Sequence, residues 1–218
     1  MFVKGVVIAH GDVDPRDRAQ LDGAELIVAA DGGTLALERW NFVPHAIVGD
    51  LDSLGVDRAA EFAALGVTVV PYSAEKDESD LELAIAYAIA AKADDIVLLG
   101  ILGGARFDHE IANTLLIASD GYRGLKLRAV RGDVTVRVLH GGDTLELDGA
   151  AGDLVTLLAV RGDAEGVRTH RLKYPLGRET LHFGAARGLS NVVVSAGATV
   201  SCDRGVLLVI ETAAGGVS

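Results

Sequence analysis

The chain has 218 residues, half of them hydrophobic and 23% charged, enough apolar material for a core and too much for wholesale disorder. Its 20 Lys and Arg against 31 Asp and Glu give a formal net charge of −11, which disfavours nucleic acid as the main partner. The single cysteine, Cys202, excludes a disulfide framework and a cysteine-based zinc site.

Short apolar runs at 3–9, 25–30, 46–49, 67–71 and 95–100 predict strands buried on both faces, the mark of a parallel sheet. Helical patterns lie between and after them at 34–41, 56–65, 79–92 and 109–118. The third is the clearest, with Leu81, Ile85 and Ala88 on one stripe. Strands alternating with helices predict an α/β sheet with right-handed crossovers. After about residue 125 the helical period disappears. Runs at 125–130, 134–139, 144–147, 154–160, 192–195, 198–202 and 205–210 follow, separated by Gly-Asp and Gly-Gly turns, as in an antiparallel sandwich. The expected division is an α/β domain over 1–125 and a β-sandwich over 126–218. No apolar run approaches the roughly 18 residues of a membrane helix. The opening Met-Phe-Val-Lys leads straight into an apolar run without a signal-peptide pattern, so a cytoplasmic protein with no membrane contact is expected.

Acidity is concentrated early: residues 1–80 carry 15 acidic and 6 basic residues, the remainder 16 and 14. The plain interpretation is a solvated acidic face; the sharper one is a metal site or a pocket for a cation. Position separates the two. Asp31-Gly32-Gly33, Gly49-Asp50-Leu51-Asp52-Ser53 and Gly103-Gly104-Ala105-Arg106-Phe107-Asp108-His109 each follow a predicted strand, and Lys76-Asp77-Glu78-Ser79-Asp80 precedes the long helix. The carboxyl ends of strands in an open α/β sheet share one ligand-binding edge, so the four motifs converge there.

In an extended chain the carboxylates of Asp50 and Asp52 point the same way, and paired hard oxygens suit Mg²⁺. Asp77 and Asp80 either face one site or serve the helix start, where Asp77 or Ser79 is the cap. Gly32 and Gly33 allow close approach of backbone to a ligand, or simply make a turn. Arg106 adds a guanidinium beside Gly103-Gly104. His109 is a base or metal ligand with Asp108, or pairs with Asn113. There is no GxSxG elbow, P-loop, HExxH or strict GxGxxG, so any phosphate chemistry rests on aspartates, Mg²⁺ and glycine-rich turns.

The ordered set of these motifs, with Pro44 to Ser53 around GDLDSL and Lys76 to Ala84 as KDESDLELA, resembles the thiamine pyrophosphokinase (thiamine diphosphokinase) family over nearly the whole chain. Gly188-Leu189-Ser190-Asn191 and the strand 205–210 resemble the family's end. The resemblance implies a Rossmann-like α/β domain followed by an antiparallel sandwich, and transfer of pyrophosphate from ATP to the thiamine hydroxyl, giving thiamine diphosphate and AMP. It implies Mg²⁺ on Asp50, Asp52, Asp77 and Asp80, with Asp108 supporting and the choice for proton acceptor. It implies nucleotide contacts at Asp31, Gly32, Gly33, Ser53, Lys76, Asp77, Arg106 and His109, and thiamine contacts at Ser190 and Asn191. It also implies a homodimer with the site at the subunit interface.

Three departures stand out. Ala105 lengthens the glycine loop by one residue, Pro44-His45 replaces the family's Pro-Asp and removes that acid, and Val192 follows Ser-Asn where glutamate is common. Tyr174 and Phe183 are the only aromatics beyond residue 125, and Trp40 reads as a core residue. The basic stretch 161–187 reads as a solvated loop or a charged edge strand. The alternatives are a pyrophosphokinase for another alcohol, such as a hydroxymethylpterin, and a non-catalytic nucleotide- or metal-binding module.

Overall fold

A computed structural model of the chain describes residues 3–216. Two compact units divide it: Met1–Thr114 with Gly124–Gly132, and Leu115–Arg123 with Asp133–Ser218.

The first unit alternates β1 (Lys4–Ile8), β2 (Leu26–Ala30), α1 (Thr34–Arg39), β3 (Ala46–Gly49), α2 (Val56–Ala64), β4 (Thr68–Pro71), α3 (Asp80–Ala90), β5 (Asp95–Leu99), α4 (Phe107–Leu116, its last two residues counted with the second unit) and β6 (Lys126–Arg131). Its strands lie in the order β6-β5-β1-β2-β3-β4, every pair parallel. The apolar runs form the central strands because both faces are covered: Val6, Val7, Ile8 and Ile96 to Leu99 are fully buried. Leu81, Ala84, Ile85 and Ala88 bury one stripe of α3, one residue more than the periodicity predicted. Trp40 packs against the core just past the end of α1.

Strand β6 corrects one expectation. The run at 125–130 falls beyond the expected boundary and reads as antiparallel, yet β6 pairs in parallel with β5 and lies in the first unit. Its alternating pattern, Lys126-Leu127-Arg128-Ala129, suits either kind of half-covered strand, so pattern alone could not assign it.

The second unit holds β7 (Val134–His140), β8 (Thr144–Glu146), β9 (Leu154–Ala159), β10 (Ala164–His170), β11 (Gly177–Leu181), β12 (Asn191–Val192), β13 (Thr199–Ser201) and β14 (Val206–Thr212). They form two antiparallel layers, β12-β9-β14-β7 and β11-β10-β13-β8. Leu139, Val155, Leu157, Val167, Val200 and Leu207 are among the residues that fill its core. The basic stretch 161–187 contains β10 and the edge strand β11, whose bulged pairing and charged side chains hide the period-two signal. Among the described residues no helix is long and apolar enough to cross a membrane.

Candidate active site

Strand β1 sits between β2 and β5, so the chain order reverses there and a crevice opens at the carboxyl ends of the strands. A cavity of about 670 Å³ occupies this edge of the first unit. Of the residues singled out in the sequence, Asp31, Gly32, Asp50, Asp52, Ser53, Lys76, Asp80, Arg106 and His109 line it. Gly33, Asp77 and Asp108 do not.

Asp31 is the buried anchor. It adopts φ +40° and is 4% exposed. Its carboxylate accepts the backbone N–H groups of Ser53 (3.1 Å) and Leu54 (3.3 Å), which ties the end of β2 to the loop after β3. The carboxylates of Asp31, Asp50 and Asp52 each place an oxygen within 4.8 Å of the others. The extended geometry expected for 50–52 is not what achieves this. Leu51 is left-handed, with φ +64°, and the Asp52 N–H folds back onto the Asp50 carboxylate at 3.2 Å. Ser53 donates its hydroxyl to Asp52 at 3.0 Å. Gly49 is glycine because a Cβ there would press on the side chains of Asp31 and Asp80.

Lys76 enters this acidic group. Its ammonium lies 2.5 Å from Asp80 and 3.8 Å from Asp50. Burial alone would lower its pKa, but the hydrogen bond to Asp80 and the charges of Asp80, Asp50 and Asp31 outweigh that and raise it. Like charges this close repel on the order of 3 kcal/mol per pair at an effective dielectric constant of about 20. One lysine is set among four carboxylates, so the cluster has more acidic than basic side chains. Hard oxygen donors of this kind fit Mg²⁺.

The remaining predicted residues sit differently. Ser79 caps α3 in a reciprocal box with Glu82, at 3.3 and 2.9 Å, leaving Asp77 exposed and outside the cavity. Asp108 is exposed and gripped by Arg106 through two hydrogen bonds of 2.9 and 2.6 Å. The Arg106 side chain holds its carboxyl down at about 2. Gly33 is required by packing, since a Cβ would strike the carbonyl of Ile8. His10 and Gly11 after β1, with Glu78 and Glu110, also line the cavity and were missed. Applying the strand-end rule to the first strand as well would have found His10.

In the second unit, Ser190 is exposed with φ +55°, and its N–H donates to the Thr156 hydroxyl at 3.0 Å. Asn191 is buried, and its side chain accepts the backbone N–H groups of Tyr174 and Val192 and donates to the Tyr174 carbonyl.

Residues 18–127, half of the chain, match the thiamin pyrophosphokinase catalytic domain. The chain belongs to the thiamin pyrophosphokinase family. Residues 144–207 match that family's vitamin B1 binding domain. The chain is 26% identical over 192 residues to a thiamine pyrophosphokinase of Bacillus subtilis, covering 88% of this chain and 89% of the relative. It is 26% identical to one from Arabidopsis thaliana, covering 83% and 70%. The crystal structure of the Bacillus subtilis protein superposes with a TM-score of 0.82 at 25% identity, over 96% of this chain and 99% of the other. A Candida albicans thiamin pyrophosphokinase shares the fold, with a TM-score of 0.79 at 17% identity over 96% and 88%.

Family membership makes the departure at His45 informative. The imidazole Nδ1 accepts the backbone N–H of Ile27 at 2.9 Å. The residue at this position thus serves as a hydrogen-bond acceptor between the start of β3 and β2.

Proposed function

We propose that this thiamine diphosphokinase transfers the pyrophosphoryl group of ATP to the hydroxyl of thiamine at the acidic cavity of the first unit, with Mg²⁺. The observation that carries the reading is the meeting of the Asp31, Asp50 and Asp52 carboxylates beside Lys76 and Asp80, in a chain of this family. Asp50, Asp52 and Asp80 are the proposed metal holders, joined by Asp31. Asp77 lies apart from them. Bound Mg²⁺ supplies charge neutralisation for the phosphates.

The thiamine hydroxyl oxygen forms a bond to the β-phosphorus as the bond from that phosphorus to the α,β-bridging oxygen breaks, and AMP leaves with that oxygen. The reaction asks the protein chiefly for positioning and electrostatics. Lys76 holds the acidic group in register. Arg106 and His109 present donors from the other wall, and Arg106 must turn from Asp108 to reach a phosphate. Asp108, outside the cavity and with its carboxyl held near 2 by Arg106, is a poor acceptor for the hydroxyl proton. The acidic walls also attract the thiazolium cation.

Ser190 and the loop clamped by Asn191 are the proposed thiamine contacts, supplied by a partner copy in a homodimer. In support, α4 buries none of its ten residues, and Phe107, Ile111 and Leu115 form an exposed apolar stripe at i, i+4 and i+8. The match to a vitamin B1 binding domain disfavours a pterin acceptor. A cytoplasmic place suits the one cysteine, Cys202, which is buried, with its thiol pushed up by that burial.

The test is AMP release from ATP and Mg²⁺, with and without thiamine, for wild type and Asp52→Asn. Thiamine-dependent AMP that the substitution abolishes supports the reading. ADP as the product sinks it.

A further inference from the structure

Most side-chain donors of the cavity are already committed. Lys76 is held by Asp80 and Asp50, Ser53 by Asp52, and Arg106 by Asp108. His10 is different, as are His109 and Asn113 on α4: among the described residues their side chains make no hydrogen bond, and His10 is exposed to the cavity it lines.

Its backbone, by contrast, is tightly fixed. Ala9 donates its N–H to the Leu99 carbonyl and Gly11 donates to the Gly100 carbonyl, both at 2.9 Å. Gly11 has no room for a Cβ against the Gly100 carbonyl, nor Gly100 against that of Ala9. The close approach of β1 and β5 therefore leaves position 10 as the place from which a side chain can enter the crevice. The ring lies against Gly32, where a Cβ would strike it. Gly32 directly follows Asp31, so the imidazole is set beside the acidic group and at the point where strand order reverses.

We propose that His10 is a substrate-contacting residue that orients the polyphosphate of the nucleotide by donating a ring N–H to a phosphoryl oxygen. This rests on the nucleotide reading given above. A polyphosphate whose charge is partly met by cations still presents oxygens that need N–H donors, and donors to charged oxygens make the stronger hydrogen bonds. His10 offers one from a locked backbone, so little chain entropy is lost on contact.

The experiment is calorimetric binding of ATP, ADP and AMP, each with Mg²⁺, to wild type, His10→Ala and His10→Asn. Steady-state KM values for ATP and thiamine and the Tm of each protein complete it. Expected for His10→Ala is about tenfold weaker binding of ATP and ADP, with AMP and the thiamine KM nearly unchanged. Tm is expected to hold, because the ring is exposed and unbonded, and His10→Asn, which restores an N–H donor, is expected to recover part of the loss. Unchanged ATP binding overturns the proposal. So does an equal loss for AMP and ATP, which marks a base or ribose contact, or a general loss with a fallen Tm, which marks a structural role. A wild type that binds ATP yet forms no thiamine diphosphate refutes the transfer reading while the nucleotide contact remains measurable.

Discussion

The side-chain amide of Asn191 grips both backbone polar groups of Tyr174. Its Oδ1 accepts the Tyr174 N–H at 3.0 Å and its Nδ2 donates to the Tyr174 carbonyl at 2.7 Å. Oδ1 also takes the Val192 N–H at 2.9 Å. The amide thus behaves as a short piece of strand, holding the loop before β11 to β12. The Tyr174 ring stays exposed, with the Lys173 ammonium 5.4 Å from its centroid.

This relationship separates two roles for Asn191. With its oxygen accepting twice and one amide N–H donating within the fold, Asn191 is proposed to act on thiamine through the loop it holds. Asn191→Ala is expected to cost about 2 kcal/mol, as for a buried hydrogen-bonding group removed from its partners. Asn191→Asp keeps the acceptor but sets a buried carboxylate oxygen against the Tyr174 carbonyl, and is expected to cost at least as much. Chemical denaturation measures both. The thiamine KM should rise in the same order while the ATP KM stays fixed. A stable Asn191→Ala protein with a raised thiamine KM would instead mean direct contact.

The acidic group makes a prediction of opposite sign. Asp31, Asp50 and Asp52 repel one another, and Asp52 is the exposed member. Without divalent metal, Asp52→Asn should leave Tm unchanged or raise it, because one like charge is gone. Wild type should gain Tm on addition of Mg²⁺, since a ligand that binds only the folded state stabilises it. The variant should lose most of that gain together with its activity. A metal-dependent Tm rise of the same size in both proteins would remove Asp52 from the metal site.

What the sequence showed and what it hid follow from the same physics. Buried parallel strands read clearly because Val6 to Ile8 and Ile96 to Leu99 are apolar throughout. The acidic site was legible through strand ends, although the left-handed turn at Leu51 that brings Asp50 and Asp52 together was not. The pairing direction of β6 was hidden because half-covered parallel and antiparallel strands alternate alike. The use of His45 was also hidden: its imidazole nitrogen accepts the Ile27 N–H, a bond that the residue type does not announce. Asn191 reads as a contact residue from its motif alone, and the backbone bonds that its amide completes around Tyr174 have no signal in the spacing.

His140 ties the stability of the second unit to pH. It is 8% exposed, at the end of β7, in a shallow cavity with Asp120, Arg123 and Arg161. Burial lowers its pKa below the ordinary 6.5, the charges of Arg123 and Arg161 lower it further, and Asp120 and Asp143 offset part of this. The folded protein therefore resists protonating a ring that the unfolded chain protonates freely. Stability from this source is full above pH 6.5 and is lost as pH falls through that value toward the folded pKa. Tm measured from pH 7.5 to 5 should fall less steeply for His140→Gln than for wild type. Parallel curves would show that His140 does not contribute to the slope.

The apolar stripe of α4 is the proposed contact of the proposed dimer. A helix that buries none of its ten residues gains little from packing within its own chain, yet Phe107 is 70% exposed, Ile111 45% and Leu115 51%. Water against three large side chains in a row is costly, at about 25 cal/mol per Å² of apolar surface. The same helix lines the cavity with His109, Glu110 and Asn113 on another face. Docking of a second copy on the stripe would therefore fix the helix that carries one wall of the site. Ile111→Asp should convert a dimer to monomer in sedimentation analysis and abolish thiamine-dependent AMP formation, while ATP binding, proposed for the cavity of the first unit, weakens much less. Leu115→Asp should act in the same way, one turn further along. A variant that remains dimeric and active would place the subunit contact elsewhere and leave the stripe without a role in assembly.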